Sequence, residues 1–328
     1  MKDKLYTAAK PTGRLTLGNY IGAVDNWLMM QDKYDSIFCV ADLHSLTVDI
    51  DPKELKDNSY AVMANYLACG LDPKKCTLYY QSQIPAHPEL CWLLDCITSM
   101  GEASRMTAYK EKAQNKKKVS VGLFNYPMLM AADILLYDAK YVPIGEDQRQ
   151  HLELARNLAI RFNNKYGETF VVPTGVYQKV GAKIYNLQNP TKKMSKSDFD
   201  NSGNILLEDP IDVIKQKIKR AVTDSDTKIV FDQENKPGVS NLLSIYSVLA
   251  KKSMKDCEKF FEGKNYGALK KEVTDVVVST IEPIQQKFNY YMKNRQEIEK
   301  VAKNGAEKIQ KIAEEKVKLV KEKMGLIF

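Results

Sequence analysis

Apolar positions in the first half of the chain fall into short continuous runs, separated by stretches with helical spacing. Leu5-Tyr6-Thr7-Ala8-Ala9 reads as a strand, followed by a turn at Pro11 and Gly13 and a helix from about Gly18. Ser36-Ile37-Phe38-Cys39-Val40-Ala41 is an unbroken apolar run, the pattern of a parallel strand covered on both faces. Helical spacing from Lys53 to Cys69 stops at Gly70, and Thr77–Gln81 reads as a third strand. Helices are predicted over Pro88–Met100 and Tyr126–Tyr137, then a short strand at Tyr141–Ile144 and a long helix from Asp147 to Asn163. Strands alternating with helices in this way predict an α/β fold with a doubly wound parallel sheet.

Beyond about residue 207 the strand pattern fades. Ile211, Ile214, Ile218 and Ala221 form one apolar stripe, and further helices are predicted at Ser240–Lys251, Tyr266–Met292 and Gln296–Met324. The organisation expected is a Rossmann-like sheet domain over 1–206, with a helical insertion around 85–125, and an all-helical domain over 207–328.

Composition changes this picture little. The 49 Lys and Arg against 41 Asp and Glu give a formal charge of +8, a moderate basic excess compatible with a nucleic-acid partner and equally with none. No apolar run approaches the ~18 residues of a membrane span, and no apolar stretch follows the charged start Met1-Lys2-Asp3-Lys4 as in a secretory signal. The six cysteines contain no Cys-x-x-Cys pair, so buried reduced thiols are expected rather than a metal site. A cytoplasmic protein with no membrane or DNA partner is the resulting expectation.

Two stretches carry candidate chemistry. In Pro11-Thr12-Gly13-Arg14-Leu15-Thr16-Leu17-Gly18-Asn19 a strand feeds a glycine turn that opens a helix, whose unpaired N–H groups suit phosphate; a plain helix start capped by Thr16 would look the same. Lys192-Lys193-Met194-Ser195-Lys196-Ser197 sets lysines among hydroxyls, which suits a polyphosphate or is simply a basic loop. Neither a Gly-x-Gly-x-x-Gly fingerprint nor a Walker A loop is present. A third feature is Asp133, an acid inside the apolar stretch Tyr126–Tyr137; a buried carboxylate there requires a partner, either a protein donor or a ligand N–H.

Taken together, Thr16-Leu17-Gly18-Asn19 and Lys193-Met194-Ser195-Lys196-Ser197 resemble the two signature motifs of class I aminoacyl-tRNA synthetases, the second in full. The stretch around Asp133 is similar to the substrate helix of the tryptophan-specific branch of that family, of bacterial type, where the matching acid receives the indole N–H. Gly101–Lys112 looks like the family's insertion, and Ser240–Tyr246 like the start of its anticodon-binding region, so the resemblance spans roughly residues 5 to 325. It implies ATP-dependent activation of L-tryptophan, transfer to tRNA(Trp), use of Mg²⁺, and a homodimer.

The resemblance also assigns residues. Thr16, Asn19, Lys112, Lys193 and Lys196 would stabilise the charge of phosphoryl transfer. ATP would lie against Lys10, Pro11, Thr12, Gly18, Asn19, Gly145, Asp147, Lys193, Met194, Ser195 and Lys196. Tryptophan would lie against Tyr6, Ala8, His44, Tyr126, Met130, Asp133 and Gln148. His44 follows the second strand and faces the crevice where open parallel sheets bind ligands; read without the family, it is a hydrogen-bonded structural histidine. His151 is expected to be a surface residue. Lys10 stands where the family has glutamine, and Leu43 replaces a polar residue common beside the histidine. The lysines of the last helix, Lys300, Lys303, Lys308, Lys311, Lys316 and Lys318, suit either tRNA or a solvated face. A tyrosine-specific relative, a regulatory paralogue without activity and a nucleotide-binding metabolic enzyme are the competing readings.

Overall fold

The computed structural model describes residues 2–11, 14–106, 119–145, 148–177, 183–194 and 201–327. Among them five parallel strands form one sheet in the order β3-β2-β1-β4-β5. The strands are β1 (Lys4–Ala9), β2 (Asp35–Val40), β3 (Thr77–Tyr80), β4 (Tyr141–Ile144) and β5 (Thr174–Tyr177). The predicted doubly wound Rossmann-like sheet is therefore the fold. The chain leaves β1 toward β2 on one side and returns to β4 on the other, so the order reverses between β1 and β4. A crevice at the carboxyl ends of these two strands is where such a sheet binds ligands.

Side-chain alternation along the strands divides the core in two. Phe38, Val40 and Leu78 point to one face, where they meet α2 (Asp25–Lys33) and α4 (Pro52–Ala68). Ile37, Cys39 and Tyr79 point to the other, against α5 (Ala86–Asp95), α7 (Val121–Leu135) and α8 (Arg149–Tyr166). Short helices α1 (Leu17–Asn19), α3 (Asp42–Ser45) and α6 (Met100–Ser104) lie at strand and helix ends, and a π-helical turn, Tyr20–Val24, joins α1 to α2.

Helix limits follow local chemistry. Asp51 caps α4 by accepting from the N–H groups of Lys53 and Glu54, and Gly70, at φ 105°, ends the turn after it. The helix predicted over Pro88–Met100 is divided, because Ser99 accepts from Glu102 N and starts α6. α7 begins well before the predicted Tyr126: Ser120 caps it, and Pro127 is accommodated inside the helix rather than in its first turn. β5 was not predicted, since Thr-Gly-Val-Tyr is too short and too weakly apolar to read as a strand.

The helical region comprises α9 (Ile211–Lys219), α10 (Pro237–Leu249), α11 (Met254–Phe261), α12 (Tyr266–Lys293) and α13 (Arg295–Met324). The predicted stripe packs inward: Ile214, Ile218 and Ala221 are buried and Ile211 partly so. α13 starts in the first core, with Ile298 and Ala302, and ends in the second, with Ile309, Ala313 and Val320. It crosses the sheet edge where Gly305 meets the backbone of Leu78, so a helix covers β3. Lys316 anchors its far end, with Nζ 2.7 Å from both Asp138 Oδ1 and the Thr169 carbonyl. Among the described residues no helix is long and apolar enough to cross a membrane.

Candidate active site

A cavity of about 410 Å³ opens at the switch point, walled by Tyr6, Thr7, Ala8 and Lys10 from β1 and its end and by Val142, Pro143, Ile144 and Gly145 from β4. Tyr126, Met130, Asp133 and Ile134 of α7 form its floor, and Trp27, His44, Thr47 and Gln148 close it. All seven positions assigned to the amino acid line this one cavity: Tyr6, Ala8, His44, Tyr126, Met130, Asp133 and Gln148. Of the nucleotide positions, Lys10 and Gly145 share it. Its size and its mainly apolar wall with a few polar groups suit a small organic ligand.

Asp133 is buried and has three protein partners. Gln81 Nε2 donates to Oδ1 at 2.7 Å, and His87 Nδ1 lies 2.7 Å from the same oxygen. His44 Nε2 donates to Oδ2 at 2.8 Å. Burial pushes the carboxyl pKa up, but the facing His87 and the hydrogen bonds from His44 and His87 outweigh it and hold the group well below the usual carboxylate range. An ionised carboxylate accepts at roughly four lone-pair positions. Among the described residues one hydrogen-bond donor reaches each oxygen, Gln81 on Oδ1 and His44 on Oδ2, with His87 Nδ1 in ion-pair range of Oδ1. Of the two sequence readings of Asp133, the structure shows the protein donors.

The wall is held by a second layer of contacts. Tyr126 turns its ring edge-on to His44, with centroids 6.3 Å apart, and its hydroxyl lies 3.0 Å from His151 Nε2. His151 is thus buried, not at the surface as expected, because α8 turns it to the same face as Leu154, Ala155 and Leu158. Lys10 Nζ donates to Thr47 Oγ1 at 3.1 Å, and Thr47 Oγ1 donates to the His44 carbonyl at 2.8 Å, so the substituted lysine is tied to the loop that carries His44.

The two motif stretches meet. Thr16 caps α1: its N and Oγ1 both donate to Asn19 Oδ1 at 3.0 Å, and Oγ1 accepts from Asn19 N at 3.1 Å. Thr16 is fully buried, while Asn19, with Oδ1 occupied, keeps its Nδ2 end for other contacts. In the second motif Met194 N donates to Ile184 O and Met194 sits buried against Gly18, while Lys193 is exposed. Pro11 is buried next to the cavity-lining Lys10. Thr12, Lys112, Asp147, Ser195 and Lys196 lie outside the described residues.

Sequence reasoning missed Gln81, His87, Trp27 and Thr47. His87 carried a signal: it falls on the apolar face of α5 with Leu90 and Leu94, and a fully buried histidine there needs polar partners. One expectation on cysteines is corrected: five are buried, but Cys96, at the end of α5, is exposed.

The chain belongs to the class I tRNA synthetases of the W and Y group, whose family model matches residues 2–282. It is 53% identical over 324 residues to the tryptophan–tRNA ligase of Caldanaerobacter subterraneus subsp. tengcongensis, covering 99% of this chain and 98% of that one. The crystal structure of tryptophanyl-tRNA synthetase from Mycoplasma pneumoniae superposes with a TM-score of 0.91 at 36% identity, over 100% of this chain and 99% of that one. The Campylobacter jejuni tryptophanyl-tRNA synthetase complexed with ADP and tryptophan superposes with a TM-score of 0.86 at 33% identity, over 98% of this chain and 100% of that one.

Proposed function

We propose that this chain activates L-tryptophan with ATP as tryptophanyl-adenylate and passes the amino acid to tRNA(Trp), releasing pyrophosphate and AMP. The observation that carries the reading is Asp133: a buried ionised carboxylate in the wall of a mainly apolar cavity, at the switch point of the sheet. The indole N–H donates to that carboxylate, and the ring lies between Tyr6, Tyr126 and Met130. A side chain without a donor leaves the carboxylate unpaired and is rejected.

The nucleophile is the carboxylate of tryptophan, already ionised, so activation needs no general base. One of its oxygens attacks the α-phosphorus of ATP as the bond to pyrophosphate breaks. The protein's task is to align the two substrates and to stabilise the negative charge of the leaving group. Lys193, Lys196 and Lys112 are the cations for that charge, with Asn19 Nδ2 as a neutral donor. Thr16 shapes the helix start, and Lys10, Pro11, Thr12, Gly18, Gly145, Asp147, Met194 and Ser195 border the nucleotide. Gln148 and His44 lie beside the amino acid. The donor set near the phosphates is cationic, which fits phosphate oxygens. Mg²⁺ would be held by those oxygens and would lower the charge of the phosphates.

The domain assignment goes with this reading: residues 1–206 carry the chemistry and 207–328 the helical part that meets the anticodon. The second step transfers the aminoacyl group to the 2′ hydroxyl of the terminal ribose. A homodimer is supported by exposed apolar side chains on neighbouring elements of the insertion, Trp92, Met100 and Val121. The substrates, tRNA and ATP, put the enzyme in the cytoplasm.

Amino-acid-dependent exchange of labelled pyrophosphate into ATP tests the proposal. Exchange with tryptophan alone is expected. Exchange with tyrosine would overturn the assignment of the cavity, and none with any amino acid would favour a regulatory paralogue. Lys196→Ala is expected to slow exchange far more than it weakens tryptophan binding.

A further inference from the structure

We propose that His87, which does not line the cavity, is a positioning residue for amino-acid selection: it fixes the rotation of the Asp133 carboxylate so that Oδ2 faces the ligand. This rests on the reading of Asp133 as the acceptor of the indole N–H.

His87 is fully buried on α5, with Nδ1 2.7 Å from Asp133 Oδ1. Its other nitrogen, Nε2, lies 2.9 Å from the Tyr79 hydroxyl and 3.0 Å from the Tyr137 hydroxyl. A hydroxyl donating to Nε2 leaves the imidazole proton on Nδ1, the nitrogen that lies next to the carboxylate. The ring itself is fixed, stacked on Tyr79 at 5.9 Å and edge-on to Tyr137 at 5.6 Å. A carboxylate held by one donor on each oxygen still rotates about its Cβ–Cγ bond. With Gln81 and His87 both on Oδ1 and His44 on Oδ2, its plane is set from behind the cavity.

The titratable groups around Asp133 come from every element packed on it: Tyr6 of β1, Cys39 of β2, His44 of α3, His87 and Cys91 of α5, and Tyr137 after α7, with Tyr79 of β3 reaching it through His87. Burial raises the tyrosines and cysteines, which stay neutral. Asp133 itself is held charged by the donors around it. With His87 replaced by an apolar residue, Asp133 loses a donor that favours its charged form, so tryptophan binding acquires an acid limb that the wild type lacks.

The test is the tryptophan Kd by equilibrium dialysis at pH 5 and pH 8 for the full-length wild type, His87→Leu, His87→Asn and Asp133→Ala, with the KM for ATP measured in parallel. Asparagine sets its amide nitrogen near the place of Nδ1. His87→Leu is expected to weaken tryptophan about tenfold at pH 8 and further at pH 5, with the ATP KM little changed, and His87→Asn to restore most of the affinity and the flat profile. The inference is overturned if His87→Leu binds tryptophan as the wild type does at both pH values, or loses tryptophan and ATP together without any pH dependence. Should His87→Leu not fold, His87→Asn decides: affinity kept with a flat profile supports the inference, and affinity lost as deeply as in Asp133→Ala overturns it. Wild-type tryptophan affinity in Asp133→Ala would overturn the Asp133 reading itself.

Discussion

Gly18 and Met194 lie against each other: a methyl group on residue 18 would come within 3.3 Å of Met194 Cβ and 3.5 Å of its carbonyl oxygen. The contact joins the first helix of the sheet domain to the lysine-rich motif. Gly18→Ala therefore forces the two apart by a few tenths of an ångström. We expect a stability loss of about 1 kcal/mol in urea unfolding. Tryptophan-dependent pyrophosphate exchange should fall about tenfold, because the lysines are misplaced. Unchanged exchange would show that the contact does not position the motif.

The proposed pairing of Asp133 with the indole N–H predicts how tryptophan analogues rank. An analogue with sulfur in place of the indole N–H has nearly the same shape but leaves the buried carboxylate unsatisfied. It should inhibit exchange with a Ki about 10- to 100-fold above the KM for tryptophan. Equal affinities would mean that the indole nitrogen points elsewhere.

The depressed pKa of Asp133 links this site to acid stability. In the unfolded chain the carboxyl titrates near pH ~3.9. Below that value the unfolded state takes up a proton that the folded Asp133 refuses, so its contribution is present above this range and is lost as pH falls toward the folded pKa. Urea unfolding between pH 5 and pH 3 should show a falling stability whose slope is smaller in Asp133→Asn. Parallel slopes for the two proteins would rule out this linkage.

The crossing of α13 over the sheet edge depends on residue 305 having no side chain. A Cβ there would lie 1.9 Å from the Leu78 carbonyl oxygen, closer than any contact allows. Gly305→Ala must lift the helix off β3 and is expected to cost about 3 kcal/mol or more, despite the better helix propensity of alanine. A variant as stable as the wild type in urea would contradict the close approach.

Thiol chemistry gives a test of the core. Cys96 is exposed, while Cys39, Cys69, Cys76, Cys91 and Cys257 are buried, and burial raises the thiols of Cys69 and Cys76 to about 12. A maleimide should label about one thiol per native chain, at Cys96, and the others only after unfolding. Rapid labelling of a second site, read by peptide mass, would mark an opening of the sheet domain.

Much of the architecture was legible from periodicity because burial leaves a local trace. Ile37–Ala41 is apolar throughout since helices cover both faces of the sheet there, and the Ile214, Ile218, Ala221 stripe records one buried helix face. β5 left no such trace: it is an edge strand of four residues, held by its pairing with β4. The same limit applies to His151, whose spacing placed it with Leu154 and Leu158 but whose polarity suggested solvent.

By itself the sequence determined a parallel α/β sheet followed by helices, two motif stretches and an acid that needed a partner. Those follow from residue type and spacing, which act over a few turns or strands. Only the tertiary structure decided what Asp133 is paired with. His44, Gln81 and His87 reach it from three separate elements, and the crossovers that order the strands β3-β2-β1-β4-β5 bring them together. The same ordering leaves the crevice between β1 and β4 that Asp133 lines. Partner identity is a long-range property of topology, and no local pattern encodes it.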